Sequence, residues 1–507
     1  MSLIQPTLAT ALSDPQRVAV VDDVREYTFG DLIGGALYVA KQIAVATDNP
    51  HVGLMLPTGG LFPMSLFGAW AAGRVVVPLN YLLSPDELAY VIGDSGIDTI
   101  ITSGKFLEHL ASVHDDAQLI PPNVNTILAE DLDPNGAMLP ELSGGDGPGV
   151  PSPDDDDLAA ILYTSGTSGR PKGVMLSHGN LHSNVEDAIE HAQFTDADTF
   201  LGVLPQFHSF GLTALTLLPM CVGSKVVYSS RFMPKRIVNL IRKHKPRVIM
   251  AVPSMYGALL AVKSASAEDF ESVRMAVSGG EPLPNATFEA FNDRFNVRLL
   301  EGYGLTETSP ISNWSTLNQY RRGAVGRSIP RVSNVIVDEK DQVLPPNEEG
   351  EILISGPNIM KGYFKLPQQT DEVFVDLDAD GNGPQRHFRT GDIGRVDDEG
   401  FLYITGRKKE MLIVGGENVF PREIEEVLNK HESVRDSAVI GKTDGMRGEV
   451  PIAFVEMNDG ADFDDKVIRT WCRDNLAGYK VPREINVVDA LPRNPTGKIM
   501  RRKLSAD

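Results

Sequence analysis

A glycine- and hydroxyl-rich stretch at residues 163–173, YTSGTSGRPKG, has the composition of a phosphate-binding loop. It directly follows the apolar run 158–162, which is typical of a buried strand. Its glycines let the backbone approach a ligand closely, its consecutive N–H groups can form an anion-binding nest, and Lys172 adds a positive charge. It is not a Walker A loop, because that motif has a hydroxyl residue directly after the lysine, where this chain has Gly173. The stretch alone predicts phosphate binding, with a flexible surface loop as the alternative.

Two further glycine-rich segments follow runs that are typical of strands. They read SGGEPLP at 278–284 and EGYGLTE at 301–307. In open α/β sheets, ligands bind at the carboxyl ends of the strands. We therefore expect residues 164–169, 278–282 and 301–307 to converge on one site.

Composition and charge exclude several classes of function. The formal net charge of −21 argues against sequence-independent binding of nucleic acid, which depends on neutralising phosphates. Cys221 and Cys472 are the two cysteines of the sequence, so a disulfide framework is excluded and we expect a cytoplasmic protein. The first residues show no cationic region followed by an apolar run, and we expect no signal peptide. The most apolar segment, 212–222, is too short to span a bilayer.

Helical and strand patterns alternate along the chain, which predicts an α/β fold with mostly parallel sheets. At 507 residues the chain exceeds one ordinary domain. We expect a large N-terminal domain of layered α/β subdomains plus a β subdomain, followed by a small mobile α+β domain. The expected positions are 1–405 for the large domain, about 1–157 and 158–329 for its α/β halves, about 330–405 for the β subdomain, 406–410 for a hinge, and 411–507 for the small domain.

Six motifs occur in the order that they have in the adenylate-forming superfamily of acyl-CoA synthetases, adenylation domains and luciferases, which the chain resembles. Together they extend over about 335 residues, and the N-terminal part agrees in length and rhythm. The motifs are YTSGTSGRPKG at 163–173, SGGEPLP at 278–284, EGYGLTE at 301–307, RTGD at 389–392, TGRKKEMLIVGGENVFPREIE at 405–425 and PTGK at 495–498.

The resemblance implies a reaction in two steps that uses ATP, Mg²⁺ and coenzyme A. A carboxylate first attacks the α-phosphate of ATP, which gives an acyl-adenylate and pyrophosphate. A thiol then displaces AMP from the acyl carbonyl. Because a carboxylate is a weak nucleophile towards a polyanion, we expect catalysis to come mainly from positioning and charge neutralisation.

The resemblance also implies roles for residues on the nucleotide side. Thr164 and Glu307 are similar to the Mg²⁺ pair of the family, Asp392 is expected to bind the ribose hydroxyls, and Arg407 is expected to contact ribose and phosphate. Residues implied for the phosphates are Ser165, Gly166, Thr167, Ser168, Gly169 and Lys172. Residues implied around the adenine and in the same motifs are Gly280, Glu281, Pro282, Glu301, Gly302, Tyr303, Gly304 and Thr306, with Thr306 and Glu307 also expected to be catalytic.

Each of these side chains also has a purely structural interpretation. Glu307 could be a charge at a helix N-terminus, Tyr303 a core residue, Asp392 an ordinary turn residue and Arg407 a partner in a surface salt bridge. From the residues alone these alternatives stay open. The order of the motifs favours the functional interpretation.

Four residues in the last quarter of the sequence are expected to serve the two half-reactions. Lys498, in PTGK, is implied as the adenylation lysine, since a flexible ammonium can bridge a carboxylate and the α-phosphate; the alternative is a solvated tail lysine. Lys409 occupies the hinge position of the family. Gly415 and Gly416 are expected to approach the thiol, although a glycine pair is also typical of a turn.

The sequence specifies the carboxylic acid substrate and the thiol acceptor less closely than the nucleotide. FHSFGLT at 207–213 carries Phe207 and His208, with His208 expected beside the acyl pocket and counted as catalytic, and Gly211 is expected to open space. Apolar residues follow, and the chain looks closest to fatty acid–CoA ligases. Leu212 follows Gly211, so a tryptophan-gated tunnel is not expected. An aryl or dicarboxylic acid, a carrier protein in trans as acceptor, and a non-catalytic nucleotide-binding protein are the alternatives; peripheral membrane contact and oligomeric state stay open.

Overall fold

A computed structural model of the chain describes residues 3–113, 119–129, 153–165, 170–379, 381, 383–444, 448–458, 460–493 and 499–505. The described residues form four β-sheets with helices packed against them, which confirms the α/β fold class. Five predicted site residues lie outside the described residues, namely Gly166, Thr167, Ser168, Gly169 and Lys498.

The largest sheet has nine strands among the described residues. From Leu299–Gly304 across to Val18–Val21 all neighbouring strands are parallel, so their carboxyl ends lie at one edge. The strands are short apolar runs such as VIMA at Val248–Ala251, which is typical of strands covered on both faces. In order across the sheet they are Arg327–Ser328, Ile311–Trp314, Leu299–Gly304, Met275–Ser278, Val248–Ala251, Thr199–Gly202, Lys225–Tyr228, Val18–Val21 and Glu26–Thr28.

A second sheet, with seven described strands, holds both ends of the first motif. Leu158–Ser165 runs antiparallel to Pro171–Ser177, with Thr164 opposite Lys172. A short strand, Gly362–Tyr363, pairs with the other side of Pro171–Ser177. In order the strands are Gly362–Tyr363, Pro171–Ser177, Leu158–Ser165, Val75–Pro78, His51–Leu54, Thr99–Thr102 and Asn125–Leu128.

Helices accompany these two sheets, and local signals in the sequence account for their ends. Ser84 caps the helix Pro85–Ser95 by accepting a hydrogen bond from the Glu87 N–H (3.3 Å), and Gly96 ends it at a φ of +71°. The other described helices of this part are Ile4–Ser13, Phe29–Ala46, Leu61–Ala71, Gly104–Val113, His178–Ala192, Ser209–Leu212, Leu218–Val222, Pro234–His244, Pro253–Leu260, Asn285–Phe295 and Pro367–Glu372.

The third sheet follows these elements and positions two predicted ribose-binding residues. Its longest strand, Gln385–Val396, pairs antiparallel with Leu402–Arg407, which places Asp392 opposite Arg407. The five described strands of this sheet are Ser333–Val337, Gly350–Ser355, Gln385–Val396, Phe374–Leu377 and Leu402–Arg407.

The fourth sheet belongs to a smaller C-terminal domain with its own apolar core. The main core of the large domain, in contrast, extends from Leu3 to Leu402 along the chain. The strands of the fourth sheet are Glu417–Val419, Leu412–Val414, Gly448–Met457, Val434–Asp444 and Glu484–Val487, and its helices are Pro421–Leu428 and Asp465–Asn475. The chain therefore has a large N-terminal and a smaller C-terminal domain, and the numbered boundaries stay predictions.

One described helix, Phe29–Ala46, is long and apolar enough to cross a membrane by length and composition. Eight of its residues are buried in the protein, among them Leu32, Val39 and Ile43. The core helix of a globular protein meets the same criterion, so the helix is weak evidence for a membrane span.

Candidate active site

A cavity of about 1300 Å³ lies at the carboxyl ends of the parallel strands in the nine-stranded sheet. Its wall includes residues from both α/β halves, the third sheet and the expected hinge. The predicted site residues that line it are Thr164, Lys172, His208, Gly280, Glu281, Gly302, Tyr303, Gly304, Thr306, Glu307, Arg407 and Lys409. Segments that are distant in the sequence therefore meet at one site.

Asp392 lies behind this wall and joins two residues that form it. The Tyr303 hydroxyl donates a hydrogen bond to Asp392 Oδ2 (2.6 Å), and Arg407 Nε lies 3.0 Å from Oδ1. Burial, together with the neighbouring Asp392 carboxylate, raises the pKa of Tyr303 well above its usual value, so its phenol stays a donor. Asp392 is 3% exposed and lies in a strand, so it is not a turn residue. A carboxylate oxygen can accept more than one hydrogen bond, so a carboxylate is suited to binding ribose hydroxyls.

Glu307, Tyr363 and Lys172 form a second group of neighbouring side chains that line the cavity. It lies in the short 3₁₀ helix Thr306–Thr308 and accepts a hydrogen bond from the Tyr363 hydroxyl (2.9 Å). Burial and the Glu307 carboxylate raise the pKa of Tyr363. The Lys172 ammonium lies 5.0 Å from the centroid of the Tyr363 ring. The carboxylate of Glu307, the phenol of Tyr363 and the ammonium of Lys172 are therefore neighbours on the cavity wall.

The donor set on this wall fits a hard divalent cation. Thr164 and Glu307 supply hydroxyl and carboxylate oxygens, and Mg²⁺ is commonly held by one or two such groups together with substrate phosphates and water. Within the described part of the chain, no group of three or more His, Cys, Asp or Glu side chains could hold a metal ion by itself. A cation at this site would therefore depend on the phosphates of a nucleotide.

Tyr363 was not singled out in the sequence, although it ends the segment GPNIMKGY at 356–363. Its place in the site comes from the pairing of Gly362–Tyr363 with Pro171–Ser177, a contact between segments almost 190 residues apart. Local patterns carry no signal for such a pairing. The tyrosine could be assigned only after the sheet was known.

Two of the predicted nucleotide contacts, Glu301 and Pro282, lie outside the cavity wall. Glu301 does not line the cavity: it is 6% exposed and its carboxylate lies 3.2 Å from Arg322 Nη1. The ion pair with Arg322 holds this carboxylate outside the cavity wall. Pro282 is exposed and also lies outside the cavity wall. Ser165 ends the strand Leu158–Ser165, opposite Pro171.

The three residues predicted for the acyl pocket have different roles in the structure. His208 lines the cavity, and its Nδ1 accepts the Phe210 N–H (3.3 Å) at the start of a short helix. Phe207 is 7% exposed and packs edge-on against the lining residue Tyr81, with ring centroids 4.9 Å apart. Gly211 opens no space: a Cβ atom there would lie 2.0 Å from a backbone carbonyl, so glycine is required by close packing of the chain.

Beyond His208 the wall of the cavity is mainly apolar. These side chains come from the ends of several parallel strands and from the segments that follow them: Val203, Leu204, Phe210, Met250, Val252, Met255, Val277, Ile311 and Trp314. Exposed cationic or titratable side chains also line the cavity, namely Lys105, His109 and Arg231, with Arg231 Nη2 2.6 Å from His109 Nε2. The sequence carries no local signal for this second group, because the helix Gly104–Val113 and the loop after Lys225–Tyr228 meet only in the fold.

The hinge and the glycine pair differ in position. Lys409 belongs to the short 3₁₀ helix Lys408–Glu410, which lines the cavity and is tied to the large domain by an ion pair between Lys408 and Glu351 (2.9 Å). Gly415 and Gly416 form an exposed turn between two strands, with φ of +63° and +91°, and lie outside the cavity wall. In this arrangement of the domains, the expected hinge residue Lys409 lines the cavity and the glycine turn does not.

Comparison with known proteins identifies the family. The model of the AMP-binding enzyme family matches residues 9–364, and the model of the AMP-binding enzyme C-terminal domain matches residues 423–498. The chain belongs to the AMP-binding enzyme family. It is 32% identical to a long-chain-fatty-acid–CoA ligase of Bacillus subtilis, over 99% of this chain and 95% of the relative. It is 31% identical to a feruloyl-CoA synthase of an Amycolatopsis species, over 97% and 96% respectively.

Solved structures agree with this assignment. ATP-bound MatB from Rhodopseudomonas palustris superposes with a TM-score of 0.86 at 30% identity, over 99% of this chain and 98% of that one. The o-succinylbenzoate coenzyme A synthetase of Bacillus subtilis, in complex with ATP and magnesium ion, gives a TM-score of 0.84 at 28% identity, with 98% of each chain covered. This family member is therefore an AMP-forming acyl-CoA ligase, as the order of its motifs predicted.

Proposed function

We propose that this acyl-CoA ligase activates a medium- or long-chain fatty acid with ATP and Mg²⁺ and transfers it to coenzyme A. The observation that carries the proposal is the continuity of one cavity of about 1300 Å³, in which the glycine-rich segments lead into an apolar wall. This volume exceeds the upper end of ordinary ligand pockets, about 1000 Å³, and gives room for a nucleotide and an extended acyl chain. Each buried methylene contributes about 0.8 kcal/mol to binding, which favours longer acids.

In the first half-reaction of this proposal, the chain holds two anions close together. Lys172 and Arg407 neutralise phosphate charge, and the Asp392 carboxylate fixes the ribose through its hydroxyls. Bound Mg²⁺ shields the phosphates. A carboxylate oxygen of the acid attacks the α-phosphorus, the bond to the bridging oxygen breaks, and pyrophosphate leaves. Lys498 is proposed to lie between the carboxylate and the α-phosphate at this step.

The second half-reaction requires a different arrangement of the domains. The thiolate sulfur of coenzyme A attacks the acyl carbonyl carbon, the bond from that carbon to the phosphate oxygen breaks, and AMP leaves. We assign the approach of the thiol to the turn at Gly415 and Gly416, after a rotation about the hinge at Lys409. Small residues at the turn leave room for the thin pantetheine arm.

A second candidate substrate is an acid with a distal anionic group. It is supported by Arg231, His109 and Lys105, which line an exposed part of the same cavity. A guanidinium forms strong paired hydrogen bonds with a carboxylate or a sulfonate. This candidate shares the nucleotide chemistry of the first and differs only in the acid.

A panel of acids tests the proposal. Pyrophosphate release is measured with saturated acids of increasing chain length, with aromatic acids, and with α,ω-dicarboxylic acids, each with coenzyme A or with a carrier protein. The expected result is a kcat/KM that rises with chain length for monocarboxylic acids and coenzyme A. A maximum for a dicarboxylic acid that disappears in Arg231→Ala would establish the second candidate, and a maximum for aromatic acids would exclude both.

Lys498→Ala tests the assigned role of the lysine. Because this variant loses the cation between the two reacting anions, carboxylate-dependent pyrophosphate release is expected to fall by about 100-fold or more, while the thermal stability is unchanged. The matched control is Lys503→Ala, which removes an exposed lysine from the same tail. Release at the wild-type rate in Lys498→Ala would contradict the role.

A further inference from the structure

Arg322 connects the two glycine-rich segments on the nucleotide side of the cavity. Its Nη1 lies 3.2 Å from Glu301 Oε1, directly before the lining segment 302–307. Its Nη2 donates to Oδ1 of Asn285, the first residue of the helix that follows SGGEPLP. The guanidinium carbon also lies 3.9 Å from the centroid of the Phe288 ring on that helix. Arg322 itself does not line the cavity.

The same polar contacts continue into the small domain. Asn285 Nδ2 donates to Glu426 Oε2 (3.3 Å), and Glu426 Oε1 lies 3.2 Å from Arg422 Nε. Arg422 Nη1 in turn donates to the carbonyl of Ile404 (2.8 Å), at the end of the large domain. A series of contacting side chains therefore connects Arg322, behind the cavity wall, to the helix Pro421–Leu428 of the small domain.

We propose that Arg322 is a positioning residue that couples nucleotide binding to the orientation of the small domain. A nucleotide between the two glycine-rich segments orders both of them, and this holds Arg322 and Asn285 in the geometry that Glu426 binds. By linkage, docking of Glu426 strengthens nucleotide binding by the same factor. The proposal rests on the proposed function, with the nucleotide held between the lining residues Gly280 and Glu281 on one side and 302–304 on the other.

Arg322→Ala is the first test, with Arg321→Ala as its matched control. Arg321 is the adjacent arginine and has contacts of the same kind: ion pairs with Asp397 (2.6 Å) and Glu399 (2.7 Å), and a position 4.9 Å from the centroid of the Phe401 ring. Calorimetric titration with AMP is expected to give a Kd raised about tenfold in Arg322→Ala, which is the usual effect of losing a hydrogen-bonded charged group. Arg321→Ala is expected to lower the Tm and to leave the Kd within about twofold.

Glu426→Ala tests the coupling across the interface. Glu426 lies in the small domain and contacts Asn285 and Arg422, so its loss is expected to weaken AMP binding less than the loss of Arg322 does. The double variant Arg322→Ala/Glu426→Ala is expected to bind AMP no more weakly than Arg322→Ala alone, because Glu426 acts through Arg322 and Asn285. Arg322→Lys retains a cation for Glu301 and is expected to behave like Glu426→Ala.

Two outcomes would overturn the inference. Equal changes of Kd in the Arg321 and Arg322 variants would show a general loss of stability, and additive effects in the double variant would show that the two sites are not coupled. The titration uses neither acid nor coenzyme A, so an error in the proposed acid does not affect it. If the wild-type protein bound no AMP, the proposed function and the inference would both fail; if the wild type and Arg322→Ala bound AMP equally, only the inference would fail.

Discussion

The carboxyl group of Glu301 is buried within the strand Leu299–Gly304, and this burial opposes its ionisation. Burial raises its pKa to about 7, and the rise is opposed by the cations Arg322 and Arg422. The native state therefore binds this proton more tightly than the unfolded chain, in which the pKa is about 4.5. Between these values the free energy of unfolding falls as pH rises, by at most about 1.4 kcal/mol per pH unit.

Glu301→Gln removes this titration. We expect the Tm of the variant minus that of the wild type to increase as pH rises from about 5 to 7 and to level off above pH 7. Thermal unfolding of both proteins over this range measures it. A difference in Tm that does not change with pH would contradict the assigned ionisation.

At this scale the sequence predicted residue types well and side-chain directions poorly. Tyr303, Asp392 and Arg407 were predicted from motifs, and the structure joins all three by short contacts. Glu301 belongs to the same motif as Tyr303, but its carboxylate is buried against Arg322 and lies outside the cavity wall. Gly211 was interpreted as open space, whereas its backbone touches another segment. The groups that a side chain meets depend on the segments packed against it, and no local pattern contains that information.

At the scale of elements, the turn at Gly415 and Gly416 is the clearest case for a test. Both residues have positive φ in a two-residue connection between Leu412–Val414 and Glu417–Val419, where glycine is preferred. A Cβ atom on Gly416 would meet no atom within 4 Å, so a larger side chain fits this arrangement apart from a backbone cost of about 1–2 kcal/mol. A larger side chain at Gly416 would therefore affect catalysis only by blocking the coenzyme A thiol that is proposed to approach the turn.

Gly416→Trp is expected to slow transfer of the acyl group to coenzyme A by about 100-fold and to leave adenylation close to wild type, because the indole would block the thiol path. The two half-reactions are measured separately, as pyrophosphate release without thiol and as thioester formation from supplied acyl-adenylate. Gly460→Trp is the matched control, since Gly460 has a φ of +80° and open space in the same domain. Equal loss of both half-reactions in Gly416→Trp would contradict the role of the turn.

The elements themselves were largely predictable. Short apolar runs such as VIMA at Val248–Ala251 form parallel strands, and Ser84, a hydroxyl residue directly before a proline, caps the helix that follows it. The pairing of Gly362–Tyr363 with Pro171–Ser177 was not predictable, because two residues carry no periodicity. Long-range pairing of short strands is decided by the packing of the whole sheet.

At the scale of the whole molecule, the two domains have separate apolar cores and are joined largely by polar contacts. Asn285 with Glu426 and Arg422 with the Ile404 carbonyl are hydrogen bonds that water can replace. Phe420 contributes an apolar contact beside Gly406, next to the expected hinge. Such an interface can open without exposing either core, which supports a small domain that moves as a body.

Fluorescence energy transfer can measure this movement, because the native thiols are poorly reactive. Burial raises the pKa of Cys221 to about 12 and that of Cys472 to about 11, so dyes would attach to introduced cysteines. Lys235→Cys/Lys466→Cys places one dye on an exposed position of each domain. We expect the transfer efficiency to differ between protein with ATP and fatty acid and protein with acyl-adenylate and coenzyme A. Lys235→Cys/Lys340→Cys, within the large domain, should not change, and a constant efficiency in the first pair would contradict rotation about Lys409.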